Sequence, residues 1–224
     1  MIIENPKLRE KMAVFKDRPE AGSVLAEMLK KYSGTNALIL AVPAGGIPVA
    51  AVIAKELKLP LAVAVVSKIT FPWDTEAGFG AVAFDGTTQL NERLMRMVEM
   101  NEVEKQLQID IARRKVKLRV EQFAALAPIP DLNNRVVILV DDGIASGFTI
   151  RVAVAAVHGK GPAGIIIAVP TGHRQALEQL AKEIDAVYCA NVRAGHSFAV
   201  ASAYENWYDV SEEEAVGILK QIRG

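Results

Sequence analysis

The stretch Val136-Val137-Ile138-Leu139-Val140-Asp141-Asp142-Gly143-Ile144-Ala145-Ser146-Gly147-Phe148-Thr149 decides the fold. Five branched apolar residues run into two adjacent acids. A turn of small and hydroxyl-bearing residues follows, and then helical spacing begins. The apolar run predicts a strand buried on both faces, as in a parallel sheet. Asp141 and Asp142 then stand at its carboxyl end, where open α/β sheets bind ligands. Gly143 and Gly147 let the backbone curl and turn its N–H groups toward an anion. Ser146 and Thr149 add hydroxyl donors, and a helix starting near Thr149 aims its positive end at the same point. Acids for sugar hydroxyls beside an amide nest for a phosphate suit a phosphorylated ribose.

Working outward, strand-like and helix-like segments alternate. Residues 20–31 have helical spacing, and Ala37 to Val42 is a short apolar run that predicts a buried strand. Pro43-Ala44-Gly45-Gly46 turns the chain into a helix over Ile47–Leu57, and Leu61–Val66 predicts a second strand. This is a βαβ unit with an expected right-handed crossover. From Ile69 to Asn91 the pattern breaks into an irregular stretch, as binding loops and lids often do, with one short strand conceivable at Gly80–Phe84. Residues 94–125 lack Gly and Pro and predict one long helix, ended by Pro128 and Pro130. A helix to about His158, a strand at Ile165–Val169, a helix at Arg174–Glu183 and a strand at Ala186–Ala190 follow. Ser211 and Glu214 have the spacing of a capping box for a last helix ending near Arg223. The alternation argues for a doubly wound, mainly parallel α/β sheet flanked by helices, in a single domain over 1–224.

Composition narrows the function. The 224 residues are 51% hydrophobic, enough for a sizeable core, and 26 basic residues balance 26 acidic ones. A zero net charge gives no general attraction to nucleic acid or to membrane surfaces. Cys189, the single cysteine, excludes an internal disulfide and a cysteine zinc site. Its apolar neighbours suggest a buried thiol, compatible with a reducing cytoplasm. No leader peptide and no membrane span are expected from the sequence.

The stretch at 136–149 closely resembles the signature of the type I phosphoribosyltransferases, which bind 5-phosphoribosyl-1-pyrophosphate (PRPP). Further similarity runs over about residues 13–222 and is nearest to a branch whose acceptor is unnamed. The resemblance implies a phosphoribosyltransferase that moves the phosphoribosyl group to a nitrogenous base and releases pyrophosphate. Asp141 and Asp142 would hold the ribose 2′ and 3′ hydroxyls, directly or through Mg²⁺. Backbone amides of Gly143, Ile144, Ala145, Ser146 and Gly147, with the Ser146 and Thr149 hydroxyls, would hold the 5′-phosphate. Ala44, Gly45 and Gly46 would cradle the pyrophosphate, and Lys68 would neutralise it as it leaves. Relatives carry Arg where this chain has Ala44, so a guanidinium clamp on phosphate oxygens is missing. Hood or lid elements would come from 69–91 and 192–210, and the assembly would be a cytoplasmic homodimer.

Other readings remain open. Adjacent acids after a strand also occur in receiver domains and phosphatases, although Gly143 breaks the phosphatase Asp-x-Asp pattern and no receiver phosphoacceptor is evident. A regulator that binds PRPP or a nucleotide without turnover is the alternative that Ala44 favours. Phe71, Trp73 and Phe79 are candidates to shield the site from water, or to sit in the core. Glu76 lies in the same family-like segment. Phe198 and Trp207 are candidates to stack on a heterocycle, or to pack a terminal subdomain. Gly159-Lys160-Gly161-Pro162-Ala163-Gly164 fits the letters of a dinucleotide fingerprint, but it follows a helix and precedes a strand, the wrong polarity. His158, His173 and His196 lack metal-ligand spacing.

Overall fold

A computed structural model of the chain describes all residues except Glu99, His196 and Gly224, and excludes the side chains of Thr75, Glu76 and Arg223. The elements are β1 (Ile2–Glu4), α1 (Arg18–Met28), β2 (Leu38–Ala41), α2 (Gly46–Leu57), β3 (Leu61–Val63), β4 (Val66–Phe71), β5 (Asp74–Ala83) and β6 (Thr88–Leu90). They continue with α3 (Glu92–Met95), α4 (Glu102–Ala124), β7 (Val136–Val140), α5 (Phe148–His158), β8 (Gly164–His173), α6 (Arg174–Leu180), β9 (Ala186–Arg193) and α7 (Glu212–Arg223).

Six strands form a wholly parallel sheet in the order β1-β9-β8-β7-β2-β3. The expected α/β architecture is what the chain adopts. Alternation along β7 explains its unbroken apolar run. Ile138 and Val140 face a core shared with α1, α2 and α7, while Val137 and Leu139 face a second core built with α5 and α6. Both faces are therefore dry from Val137 to Val140.

Several boundaries differ from the sequence expectation. The predicted strand Leu61–Val66 is two strands in two sheets, because the chain leaves the parallel sheet after Val63. The stretch 69–91 is regular: β4, β5 and β6 make a three-stranded antiparallel sheet with a register shift near Ile69–Phe71. Its glycines and irregular register hide the period-2 pattern that would have exposed it. The long helix begins at Glu102, not 94, since Asn101 and Glu104 form a reciprocal capping box. That signature was present in the sequence but stood inside a continuous helical pattern. Helix α1 begins at Arg18, where the Asp17 side chain accepts from the Glu20 N–H. The Ser211 cap is present, but Glu214 binds the Tyr208 hydroxyl instead of closing the box. Strand β1, too short to register as a pattern, pairs with β9 at the sheet edge.

The small sheet packs on α4 and α5. Phe71 and Phe79 are buried in that contact with ring centroids 5.1 Å apart, so they are core residues and not a water shield. Trp73 lies exposed on Phe71. Phe79→Ala should cost about 3–5 kcal/mol in urea unfolding. A loss below about 1 kcal/mol would mean that the small sheet does not depend on this contact.

Candidate active site

The phosphate-type turn is assembled as its residues suggest, with one exception. Gly147 adopts φ +74° and hands the chain to α5. Among the described residues, the N–H groups of Gly143, Ala145, Ser146 and Gly147 have no protein partner. The exception is Ile144, whose N–H donates to the Thr171 carbonyl at 3.0 Å and whose carbonyl accepts from His173. Ile144 is therefore a buried anchor that ties the turn to β8. The free amides, with Ser146, Thr149 and the α5 N-terminus, line a cavity of about 170 Å³. Asp141 and Lys68 line the same cavity. Lys68 reaches it from β4, so the antiparallel sheet supplies a cation to its wall. Unpaired donors at a helix start beside a cation are the features that attract an anion.

The second turn, Pro43–Gly46, abuts the first through the end of β7. A Cβ on Gly45 would lie 2.0 Å from Asp142 Oδ2, and one on Gly46 would lie 2.6 Å from the Val140 carbonyl. Only glycine allows this approach at either position. The Pro43–Ala44 peptide is cis. The Ala44 and Gly45 N–H groups have no partner among the described residues, whereas Gly46 donates to the Val42 carbonyl at 3.0 Å. Two of the three residues predicted to cradle an anion thus have a free donor.

The acid pair is not symmetric. Arg18, buried at the start of α1, donates from Nε and Nη2 to the same Asp142 oxygen, at 3.0 and 2.9 Å. Its Nη1 donates to the Tyr208 carbonyl, and its guanidinium lies 4.0 Å from the centre of the Trp207 ring. Tyr204 donates its hydroxyl to the Asp142 carbonyl at 2.6 Å. Arg18 thus fixes the Asp142 carboxylate and Tyr204 its carbonyl. Burial pushes its carboxyl up, and Arg18 opposes that push. Asp141 has no such counter-ion beside it among the described residues: burial, then the neighbouring Asp142 charge, hold its carboxyl well above the usual carboxylate range. Its Oδ1 accepts the Asp142 N–H at 2.8 Å.

Arg18 is the residue that the sequence did not reveal. It stands 124 positions from its partner, beside a proline, with no motif around it. Trp207 is correspondingly removed as a free stacking platform, because Arg18 covers one face and Tyr204 packs on it at 5.2 Å. Phe198 lies against His173 and Arg193. Cys189 is buried, and burial raises its thiol. His158 meets the Glu183 carbonyl. Residues 159–163 form the turn between α5 and β8, which begins at Gly164, as their polarity required. His196 and the Glu76 side chain lie outside the described residues.

A family profile described as a phosphoribosyl transferase domain matches residues 88–205, just over half of the chain. The chain belongs to the phosphoribosyl transferase family. It is 36% identical over 213 residues to "Putative phosphoribosyl transferase Rv0571c" of Mycobacterium tuberculosis. That match covers 93% of this chain and 47% of the relative, so the chain spans about half the length of the curated relatives it matches. Among solved structures it resembles TT1426 from Thermus thermophilus, with 29% identity, a TM-score of 0.73, and 94% and 99% of the two chains covered. The two share the mainly parallel α/β sheet flanked by helices. No helix among the described residues is long and apolar enough to cross a membrane.

Two outcomes follow from the acid pair. Arg18→Met leaves Asp142 buried without its counter-ion and should cost on the order of 3 kcal/mol in urea unfolding; a cost under about 1 kcal/mol would show that the pair is not a structural clamp. Asp141 has a folded-state pKa above its unfolded one, so the native state holds more protons in that window and stability falls as pH rises through it. Asp141→Asn, which keeps the oxygen accepting from Asp142, should therefore raise the unfolding midpoint at pH 7. It should also flatten the pH dependence above the usual carboxylate range. An unchanged or lower midpoint with an unchanged profile contradicts the assignment.

Proposed function

We propose that the domain transfers the 5-phosphoribosyl group of PRPP to a nitrogen of a base-like acceptor, releasing pyrophosphate. The observation that carries this reading is the cavity shared by Asp141, Lys68 and the free amides of the 143–149 turn. It offers an acid, a cation and an anion nest within one ligand's reach. In this reading the amides of Gly143, Ala145, Ser146 and Gly147, with the Ser146 and Thr149 hydroxyls, hold the 5′-phosphate. Asp141 receives a ribose hydroxyl. The Ala44 and Gly45 amides face the pyrophosphate, and Lys68 balances its growing charge. The bond from ribose C1 to the pyrophosphate oxygen breaks as the bond to the acceptor nitrogen forms. The acceptor nitrogen is the nucleophile, so the protein contributes position and electrostatics. Asp142, paired with Arg18, stands against the positive charge developing on the ribose.

Mg²⁺ suits these residues as a ligand-borne ion. No group of three or more His, Cys, Asp or Glu among the described residues is arranged to hold a metal, and Arg18 takes one oxygen of Asp142. Asp141 and the other Asp142 oxygen are too few for a protein cage. They fit a magnesium that arrives on phosphates and keeps its waters. When bound, it would neutralise pyrophosphate charge. A homodimer is part of this reading.

One observation favours a second reading. Ala44 stands where family relatives carry Arg, which fits a PRPP- or nucleotide-binding regulator with little turnover. Incubation with PRPP, Mg²⁺ and a panel of bases, following pyrophosphate, separates the two. Release with one base, lost about 100-fold in Asp141→Asn, is expected for the enzyme. Thermal stabilisation by PRPP without release with any base identifies the regulator, and neither response rejects both. Ala44→Arg should tighten inhibition by pyrophosphate roughly tenfold by adding a charged hydrogen bond; no gain would mean that another cation already serves that position.

A further inference from the structure

A second cavity, of about 400 Å³, adjoins the one beside the phosphate-type turn. The two share Lys68, Ser146, Phe148 and Thr149 as a common wall. Asp141 and Gly143, at the sugar end of the first cavity, do not line the second. The second cavity therefore opens from the phosphate end of the site, away from the acids. Its far wall comes from Ala77 and Gly78 of β5, Asn91 ahead of α3, and Gln179 of α6. A Cβ on Gly78 would lie 3.4 Å from the Lys68 stem, so glycine there gives that side chain its room. Most polar groups on the wall are donors. Lys68 and the Thr149 hydroxyl have no protein partner among the described residues. The Asn91 oxygen accepts the Leu94 N–H at 3.2 Å, which leaves its NH₂ group for a ligand. Arg151, the other cation, is paired with Glu183 at 3.1 Å. No Asp or Glu lines the cavity among the described residues.

We infer that this cavity is a subsite for a second phosphoryl group joined to the 5′-phosphate. The site then takes a nucleoside 5′-diphosphate, with the α-phosphate in the 143–149 turn and the β-phosphate beside Lys68, Asn91 and Thr149. The inference rests on the reading of that turn as a 5′-phosphate nest. The cavity begins where a 5′-phosphate ends, so its occupant is attached through that phosphate and not through ribose C1. An acceptor base has to reach C1, beside the acids and the Ala44–Gly45 turn, and none of those residues lines this space. A free ammonium, a hydroxyl and an amide NH₂, with no carboxylate among them, suit an anion and not a cation or an apolar group. The volume leaves room for that group with its water. PRPP has nothing beyond its 5′-phosphate to place here. A nucleoside diphosphate occupies both cavities and so excludes PRPP from the first. Lys68 borders both, and in this complex it serves the β-phosphate, since no pyrophosphate is then bound at the other turn. Competition of this type makes the site responsive to nucleotide level.

Calorimetric titration of the whole chain with ribose 5-phosphate, AMP, ADP, GMP and GDP tests this. Each diphosphate should bind at least about tenfold tighter than its monophosphate, through added charge-assisted hydrogen bonds, and should compete with PRPP. Ala77 is exposed on the cavity wall, so a longer side chain there displaces no core contact. Ala77→Glu should weaken the diphosphates about tenfold and leave ribose 5-phosphate and the monophosphates within about twofold, because the added charge repels only the outer phosphate. Ala77→Lys should tighten the diphosphates. Opposite effects of the two variants cannot come from a folding defect. A diphosphate that binds no tighter than its monophosphate overturns the inference. So does a diphosphate advantage that neither variant alters, since the β-phosphate then lies elsewhere, as on the Ala44–Gly45 amides. If neither ribose 5-phosphate nor a monophosphate binds, the phosphate nest itself is wrong and the subsite falls with it.

Discussion

Arg18 binding Asp142 is the interaction on which the site's geometry rests. One guanidinium joins three parts of the chain that are far apart in sequence: the start of α1, the carboxyl end of β7 and the segment at Tyr204–Tyr208. An ion pair removed from water is costly unless its remaining donors are met. Here the third nitrogen finds the Tyr208 carbonyl and the flat face lies on Trp207. A partner for each nitrogen is what allows a buried charge to set a rotamer and not merely to burden the fold. The consequence is a division between neighbouring acids. Asp142 is clamped, and Asp141 is left beside the cavity with a raised affinity for a proton.

The same economy of space governs the two turns. A Cβ on Gly46 would collide with the backbone of Val140 and Asp141, and one on Gly45 with the Asp142 carboxylate that Arg18 holds. The approach brings the free amides of one turn beside the acids that precede the other. The two turns stand at the neighbouring carboxyl ends of β2 and β7, the edge at which open α/β sheets bind ligands. Ile144 shows the cost of this rigidity. Its N–H, grouped by sequence with the phosphate donors, is engaged by Thr171 so that the turn keeps its shape.

Much was legible in advance where physics is local. The run Val136–Val140 could only be a strand buried on both faces, and the glycines at 143 and 147 could only mark a tight turn into a helix. Those elements, the parallel sheet and the grouping of Asp141 with residues 143–149 follow from patterns a few residues long. The antiparallel sheet at 66–90 was missed because its glycines and register shift blur the alternation that marks a strand. Phe71 and Phe79, plausible as a shield in an irregular loop, became core once that loop proved to be a sheet. Helix α4 was read as continuous from 94 because the Asn101–Glu104 cap lay within an unbroken helical pattern.

The sequence by itself determined the type of sheet and the turn chemistry at both strand ends. Those depend on side-chain periodicity and on residues such as glycine whose backbone freedom is intrinsic. Only the tertiary structure decided which acid is clamped, which amides remain free and which aromatic faces are covered. Each of these depends on a partner more than a helix length away in the chain, and no local pattern encodes the distance between groups that meet only when the chain has folded.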